Sequence, residues 1–423
     1  MNSPHAIRPG GRINSELTGP TEAGPVFGPV NPHAGHDPGA AGFRRSATAL
    51  DRRTVSRRLV INGRFLTQPV TGVQRYAREV VKAMDALAAE RHGSAVPWDI
   101  ELHHPPDDVR LDAYRHIRIV GTGKRTGHLW EQIDLASSAR NGLLLNLANT
   151  APVFHSNVVG TIHDVGVFAH GSAYSASFRL SYRLMFRILA RRARRILTVS
   201  SFSAGEIGRF CGASGDIITV APNAANHLGS IVEEPEILER LGLRRSEYVL
   251  AVGSRNPLKN LSAVIEAFDL MGPDRPLLVI VGQQSASIFQ NRNDRKDAGT
   301  QPNHIIPTGV ITDGELRSLY RNARCLVFPS LYEGFGIPPL EAMQEGCPVI
   351  ASAATSIPEV CGRAVLYCDP HNPRDIAAKI EEIGRDDGLR RRLIEAGRLR
   401  STRFSWRETA LGIFNELNEL TSP

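Results

Sequence analysis

No stretch of this 423-residue chain approaches the ~20 consecutive apolar residues that a membrane-crossing helix needs. The N-terminus also lacks the apolar core of a secretory signal, so the chain is expected in the cytoplasm. Its five cysteines, Cys211, Cys325, Cys347, Cys361 and Cys368, form no C-x-x-C pair, and no His/Cys cluster has zinc spacing. That usage fits a reducing compartment and argues against a disulfide framework or a zinc module. Asp-x-Asp, a pattern that holds a divalent metal on a diphosphate, occurs nowhere, and no metal site is expected. Aromatics make up 6% of the chain, sparse for a protein that stacks nucleic-acid bases on interleaved rings. No nucleic-acid partner is therefore expected, despite a net charge of +7.

The chain is too long for one ordinary core, so more than one domain is expected. Residues 1–57 are rich in Gly, Pro, Ser, Ala and Arg without periodic apolar positions, and read as a disordered tail. Strand and helix signals then alternate twice. Arg58-Leu59-Val60-Ile61-Asn62 reads as a strand, followed by a helix with Val73, Tyr76, Val80, Met84 and Leu87 at 3–4 spacing. A second alternating run opens with the strand Tyr248-Val249-Leu250-Ala251-Val252-Gly253. The fold class expected is α/β, with two Rossmann-like domains facing across a cleft. The boundaries are drawn at 58–235 and 246–403, with a last helix, 404–423, crossing back to the first domain.

The most specific segment is Ser330-Leu331-Tyr332-Glu333-Gly334-Phe335-Gly336-Ile337-Pro338-Pro339-Leu340-Glu341-Ala342-Met343. It follows an apolar strand, Cys325 to Phe328, and Pro338 and Pro339 suit a first helical turn, where a missing N–H costs nothing. Glu333 should sit in the loop leaving the strand and Glu341 near the helix N-terminus. Gly334 and Gly336 let backbone approach a ligand.

This segment resembles the E-x7-E motif of the family 4 glycosyltransferases, retaining enzymes of the two-Rossmann-domain type known as GT-B. Other segments share the resemblance: Gly72-Val73-Gln74-Arg75-Tyr76, Leu129-Trp130-Glu131-Gln132, Thr161-Ile162-His163-Asp164, the loop from Gly253 through Pro257-Leu258-Lys259-Asn260, and Phe404-Ser405-Trp406. The resemblance implies that Glu333 and His163 contact the transferred sugar and that Glu341 holds the ribose hydroxyls of a nucleotide donor. Lys259 would pair with the donor diphosphate, helped by Arg255, which stands one place later than the family's usual arginine. Gly72 and the turn Gly334-Phe335-Gly336-Ile337 would line the donor. Asp164 either orients the His163 imidazole or binds the acceptor hydroxyl, and the sequence does not separate the two. Trp130 is read as a packing residue.

The implied activity moves a sugar, with retention, from a nucleotide-diphosphate sugar to a hydroxyl of a glycan or lipid-linked acceptor in cell-surface polysaccharide synthesis. Mannose is the sugar suggested by the general run of relatives, and no cofactor is expected beyond the donor. A nucleotide-sugar 2-epimerase on the same fold is the rival enzyme, though such enzymes lack this form of the glutamate motif. A basic nucleic-acid binder is the non-enzymatic rival.

Residues 178–197 place Arg179, Arg183, Arg187, Arg191 and Arg195 every fourth position, among Phe178, Tyr182, Met185, Phe186 and Leu189. This reads as a basic amphipathic helix. It either docks on anionic lipid headgroups at the inner face of the cell membrane or is a domain helix that solvates its arginines.

Overall fold

The computed structural model describes residues 57–90, 98–107, 109, 113–253, 256–282 and 304–421. The tail drawn at 1–57 lies outside them except for Arg57, which opens the first strand, and the polar stretch beginning at Gln283 lies outside them up to His304. The first sheet is β1 (Arg57–Asn62), β2 (Trp98–His104), β3 (Arg118–Gly121), β4 (Leu143–Asn146), β5 (Val158–Thr161), β6 (Arg195–Thr198) and β7 (Ile218–Val220), in the order β3-β2-β1-β4-β5-β6-β7. The second is β8 (Tyr248–Val252), β9 (Leu277–Val281), β10 (Ile305–Gly309), β11 (Cys325–Phe328), β12 (Val349–Ser352) and β13 (Leu366–Cys368), in the order β10-β9-β8-β11-β12-β13.

All these pairings are parallel. Parallel sheets are covered on both faces, which is why Leu59-Val60-Ile61, Leu143-Leu144-Leu145 and Leu278-Val279-Ile280 are buried as unbroken runs rather than alternating. Strand order reverses between β1 and β4 in one sheet and between β8 and β11 in the other. A ligand crevice forms beyond the carboxyl ends of strands at such points. The architecture is therefore α/β with two Rossmann-like sheets.

The helices that position the crevice are α1 (Gly72–Glu90), α2 (Ala176–Arg192), α3 (Ser201–Cys211), α4 (Leu261–Leu270), α5 (Asp313–Asn322), α6 (Ile337–Gln344), α7 (Ile357–Cys361) and α8 (Trp406–Glu419). Ser405 caps α8, accepting the Glu408 N–H at 3.1 Å. This last helix packs along α1 and ties into the first sheet through Arg195–Glu416 at 2.8 Å and Trp98 Nε1 to Asn418 Oδ1 at 2.9 Å.

The basic helix is shorter than the 178–197 read from the arginine spacing. It ends at Arg192, because the Arg194 N–H is claimed by Val158 O at 2.8 Å and Arg195 enters β6. Sheet pairing overrides the helical pattern there. The arginine row is also partly occupied. Arg179 donates to Gly171 O, Arg183 donates to Val167 O and Phe168 O, and Arg183 and Arg187 both lie over the Phe168 ring. This helix also exposes apolar side chains, Leu180 at 72% and Leu184 at 59%, on a surface that includes the exposed Arg187, Arg191 and Arg192.

The two sheets are joined by backbone-level contacts. Ser200 Oγ donates to Gly334 O at 2.6 Å, and Ser203 Oγ lies 3.2 Å from Gly334 O and 3.1 Å from His163 O. Glu359 of α7 caps α3 in the other domain, accepting the N–H groups of Ser201 at 2.7 Å and Phe202 at 3.0 Å. Arg75 of α1 reaches Asp313 of α5 at 2.5 Å.

A Cβ on Gly334 would stand 2.5 Å from His163 O and 3.3 Å from its carbonyl carbon, with backbone on both sides of the clash. Gly334→Ala should therefore destabilise by about 1–3 kcal/mol. A Cβ on Gly205, inside α3, would meet nothing within 4 Å. Gly205→Ala should stabilise by roughly 0.5–1 kcal/mol. Thermal unfolding of the two variants should move the midpoint in opposite directions, and a neutral Gly334→Ala would contradict this account of the junction.

Candidate active site

Four loops meet where the sheets face each other. The loop after β5 carries His163 and Asp164. The loop after β1 leads to Gly72 at the start of α1, and a Cβ there would be 3.5 Å from Ile337 Cδ1 of α6. The loop after β8 carries Lys259, and the loop after β11 carries Glu333. The structure brings these residues together; Arg255 lies outside the described residues.

Lys259 Nζ sits 2.7 Å from Glu333 Oε1, and both side chains are largely buried. Asn260 takes the left-handed conformation, φ 55°, which turns the chain from the Lys259 loop into α4, and its side chain donates to Pro329 O at 3.2 Å and Pro370 O at 2.7 Å. That pins the Lys259 loop to the one carrying Glu333. Thr355 Oγ1 accepts the Glu333 N–H at 3.1 Å, and Ser356 Oγ donates to Glu333 O and Phe335 O. The turn is thus held by hydroxyls from the segment after β12. Gly336, with φ 99°, is the N-cap of α6. Two of the first three helical positions are Pro338 and Pro339, so Ile337 is the first-turn residue left with an N–H to offer an anion. The nearest cation to this turn is Lys259, paired with Glu333. Phe335 turns its ring inward, edge-on to Phe404 at 5.5 Å, so it offers a ligand backbone rather than ring.

His163 is 5% exposed and lies edge-on to Tyr76 at 4.9 Å. Its Nε2 is 3.0 Å from Leu147 O, an obligate acceptor, so Nε2 carries the proton and Nδ1 is the lone-pair nitrogen. Burial lowers its pKa to about 4, opposed by the Leu147 carbonyl. A neutral imidazole in this tautomer accepts at Nδ1, so a sugar hydroxyl meeting it there would have to donate. Asp164 does not engage the proton-bearing nitrogen of that ring, which Leu147 already takes. Its Oδ1 accepts the Gly166 N–H at 2.8 Å. Burial raises its pKa above the usual carboxylate range; the Gly166 N–H and Lys259 lower it, and the Glu333 charge raises it. The Tyr174 hydroxyl shares the same space, since a Cβ on Gly166 would be 2.9 Å from it and 3.1 Å from Asp164 Oδ1. Burial and then the Asp164 charge push the Tyr174 phenol up to about 12, so it stays a neutral hydroxyl.

Glu341, in the second turn of α6, is 7% exposed. Tyr320 OH donates to its Oε2 at 3.1 Å, and His227 Nε2 lies 3.4 Å from its Oε1. The first domain contributes a second buried carboxylate, Glu131, at the β1/β4 reversal. Its Oε1 accepts from Asn62 at 2.7 Å, Thr150 at 2.8 Å and Arg64 at 3.3 Å, and Asn62 also donates to Asn146 at 2.8 Å. Burial pushes the Glu131 pKa up, but hydrogen bonds from His128, Thr150 and Asn62 and the Arg64 charge outweigh it and leave the pKa lowered. Neighbouring Trp130 is fully buried, Nε1 donating to Thr122 O at 2.7 Å, which makes it a packing residue.

Sequence reasoning passed over Ser200, Ser203, Tyr174, His227, Tyr320, Thr355, Ser356 and Glu359. Ser200 carried a signal as the cap of α3, but its hydroxyl's second use, on Gly334, did not. Glu131 was visible inside Leu129-Trp130-Glu131-Gln132, without a hint of its partners.

A family model described as glycosyl transferases group 1 matches residues 233–400. O-antigen chain mannosyltransferase B of Escherichia coli is 30% identical over 370 residues, covering 81% of this chain and 95% of that protein. O-antigen chain mannosyltransferase RfbU of Salmonella typhimurium is 26% identical, over 57% of this chain and 64% of its own length. Among solved structures, sucrose-phosphate synthase of Thermosynechococcus elongatus superposes with a TM-score of 0.67 at 19% identity, covering 86% of this chain and 99% of that one. HepE of Anabaena, solved in complex with UDP and glucose, gives 0.64 at 16% identity, covering 86% and 100%. Those structures share the fold. The sequence match along nearly the whole length of mannosyltransferase B carries the family: the chain belongs to the glycosyl transferases group 1 family and is a hexosyltransferase with two Rossmann-like domains.

Proposed function

We propose that the protein is a retaining glycosyltransferase that moves mannose from a nucleotide-diphosphate sugar to a hydroxyl of a growing cell-surface polysaccharide or its lipid-linked precursor. The observation that carries this reading is the pair Lys259–Glu333, 2.7 Å apart at the β8/β11 reversal and opposed across the crevice by His163 and Asp164. Mannose rests on the two O-antigen mannosyltransferases to which the chain is similar, and a nucleotide donor on HepE, whose complex holds UDP.

In this reading Lys259 meets the donor diphosphate, Glu341 the ribose and Glu333 the sugar. His163 accepts a sugar hydroxyl at Nδ1. The free oxygen of Asp164 accepts a hydrogen bond from the acceptor hydroxyl and aims it. Glu333 is charge-paired with Lys259, which blunts it as a nucleophile. Direct transfer on the face from which the diphosphate leaves follows, with the departing diphosphate taking the acceptor proton. The rate then comes from positioning and from stabilising the diphosphate charge. Lys259 and the end of α6 supply that stabilisation, so no metal or other cofactor is required in this scheme.

The helix α2 gives the same enzyme a membrane-facing side. Leu180 and Leu184 are exposed beside the exposed Arg191 and Arg192, and no helix among the described residues is long and apolar enough to cross a membrane. Each basic residue at an anionic surface adds about 1 kcal/mol. This suits peripheral attachment to the leaflet that presents a lipid-linked acceptor.

Purified protein given GDP-mannose, UDP-glucose and other sugar nucleotides should release the diphosphate of one of them, with α-to-α transfer seen by NMR and no loss of rate in EDTA. Inversion, or abolition by EDTA, would overturn the mechanism. Asp164→Asn keeps the Gly166 turn but loses the charge. Its kcat should fall about ten- to a hundredfold, an order of magnitude suited to one lost polar contact in the transition state. In the wild type the acceptor KM should rise as pH falls through the raised Asp164 pKa, because protonation removes the acceptor. That acid limb should vanish in the variant, and its persistence would assign it elsewhere. Anionic vesicles should co-sediment the wild type in a salt-sensitive manner, and Leu180→Ser with Leu184→Ser should reduce the bound fraction severalfold. Equal binding to neutral vesicles would argue against the charge contribution.

A further inference from the structure

We propose that His227, in the connection between the two sheets, is the positioning residue for the Glu341 carboxylate and through it for the ribose of the donor. This rests on the reading of Glu341 as the ribose-binding group.

His227 follows β7 and is 6% exposed. Its Nδ1 lies 3.3 Å from Trp406 Nε1. An indole N–H can only donate, so Nδ1 must be the acceptor and the ring proton sits on Nε2. That nitrogen points at Glu341 Oε1 across 3.4 Å, longer than a good N–H···O bond, and it has no hydrogen-bond partner among the described residues. A buried N–H left unmade is costly, typically about 1–3 kcal/mol, and the nearby acceptor is the carboxylate oxygen itself. Tyr320 OH already fixes the other oxygen, at 3.1 Å. Together the two donors set the plane of the carboxylate. Each oxygen retains a lone pair, so the geometry leaves two acceptors for a vicinal pair of hydroxyls.

The imidazole is itself held. Asn226 Oδ1 accepts the Trp406 backbone N–H at 3.1 Å, and Thr409 Oγ1 donates to Pro222 O at 2.7 Å, so the first turn of α8 is bolted to the connection carrying His227. Tyr76 lies edge-on to Trp406 at 5.9 Å and to His163 at 4.9 Å, packing the same cluster against the sugar end of the site. The orientation of Glu341 therefore depends on the segment linking the domains and on the helix that crosses back.

The test compares affinity for a nucleoside diphosphate with affinity for its 2′- and 3′-deoxy forms, by calorimetry, using whichever of GDP, UDP or ADP the wild type binds. The variants are His227→Phe, which keeps a ring and removes the N–H, His227→Gln, which restores a donor, Trp406→Phe and Glu341→Gln. The wild type should prefer the ribose form at least tenfold. His227→Phe should cut that preference to within about threefold and raise the donor KM with kcat little changed, Trp406→Phe should cut it in part, and His227→Gln should recover most of it. A purely structural histidine would lower the unfolding temperature in His227→Phe and leave the preference intact, which overturns the proposal. If His227→Phe fails to fold, His227→Gln and Trp406→Phe decide: a wild-type preference in Trp406→Phe together with a lost preference in His227→Gln overturns it. If the wild type shows no preference and Glu341→Gln binds as the wild type does, the ribose reading of Glu341 is what fails.

Discussion

The arrangement of the site depends on one close approach, the backbone of Gly334 against the carbonyl of His163. The contact leaves no room for a side chain, since a Cβ would come within 2.5 Å of the carbonyl oxygen. Two serines from one end of α3 then hold the Gly334 carbonyl. Because Gly334 is the residue after Glu333 and His163 the residue before Asp164, this contact sets the distance between the Glu333 and Asp164 carboxylates. One contact thus both joins the two domains and brings the groups of the site together. Glu359, capping a helix that belongs to the other domain, reinforces it with charge at a helix N-terminus.

Around that contact, several charged groups are set by neighbours placed far away in sequence. Lys259 is separated from Glu333 by 74 positions, Glu341 from His227 by more than a hundred, and Arg75 from Asp313 by 238. Burial raises the stakes of each pairing, because an isolated charge in such a crevice would be strongly disfavoured. His163 solves the problem by staying neutral, Glu131 by collecting hydrogen bonds from His128, Thr150 and Asn62 beside the Arg64 charge, and Asp164 by taking one backbone N–H and a raised pKa.

Much of this was legible in the sequence where the signal is local. The unbroken apolar runs of β1, β4, β8, β9 and β11 announce parallel strands. Pro338 and Pro339 announce the start of α6, and Ser405 announces the start of α8. The glutamate segment announces a ligand loop. What was not legible is what one element does to another. The arginines of α2 repeat every four residues through Arg195, but β5 claims the backbone after Arg192 and ends the helix. Periodicity could not foresee that Arg179 and Arg183 would spend their donors on carbonyls of the preceding segment. His227 is surrounded by residues with no pattern of their own. Its meaning comes from Trp406 and Glu341, which reach it from opposite directions.

The Lys259–Glu333 pair bears directly on how the proposed donor would be held. Both residues are assigned to the donor, yet in the closed crevice each already satisfies the other. A diphosphate carries more negative charge than one carboxylate and presents several acceptor oxygens, so it competes well for the ammonium. In the proposed scheme the ammonium, with three N–H donors, meets the diphosphate while keeping Glu333 as a partner. In that scheme the diphosphate and the carboxylate assigned to the sugar are coupled through one ammonium.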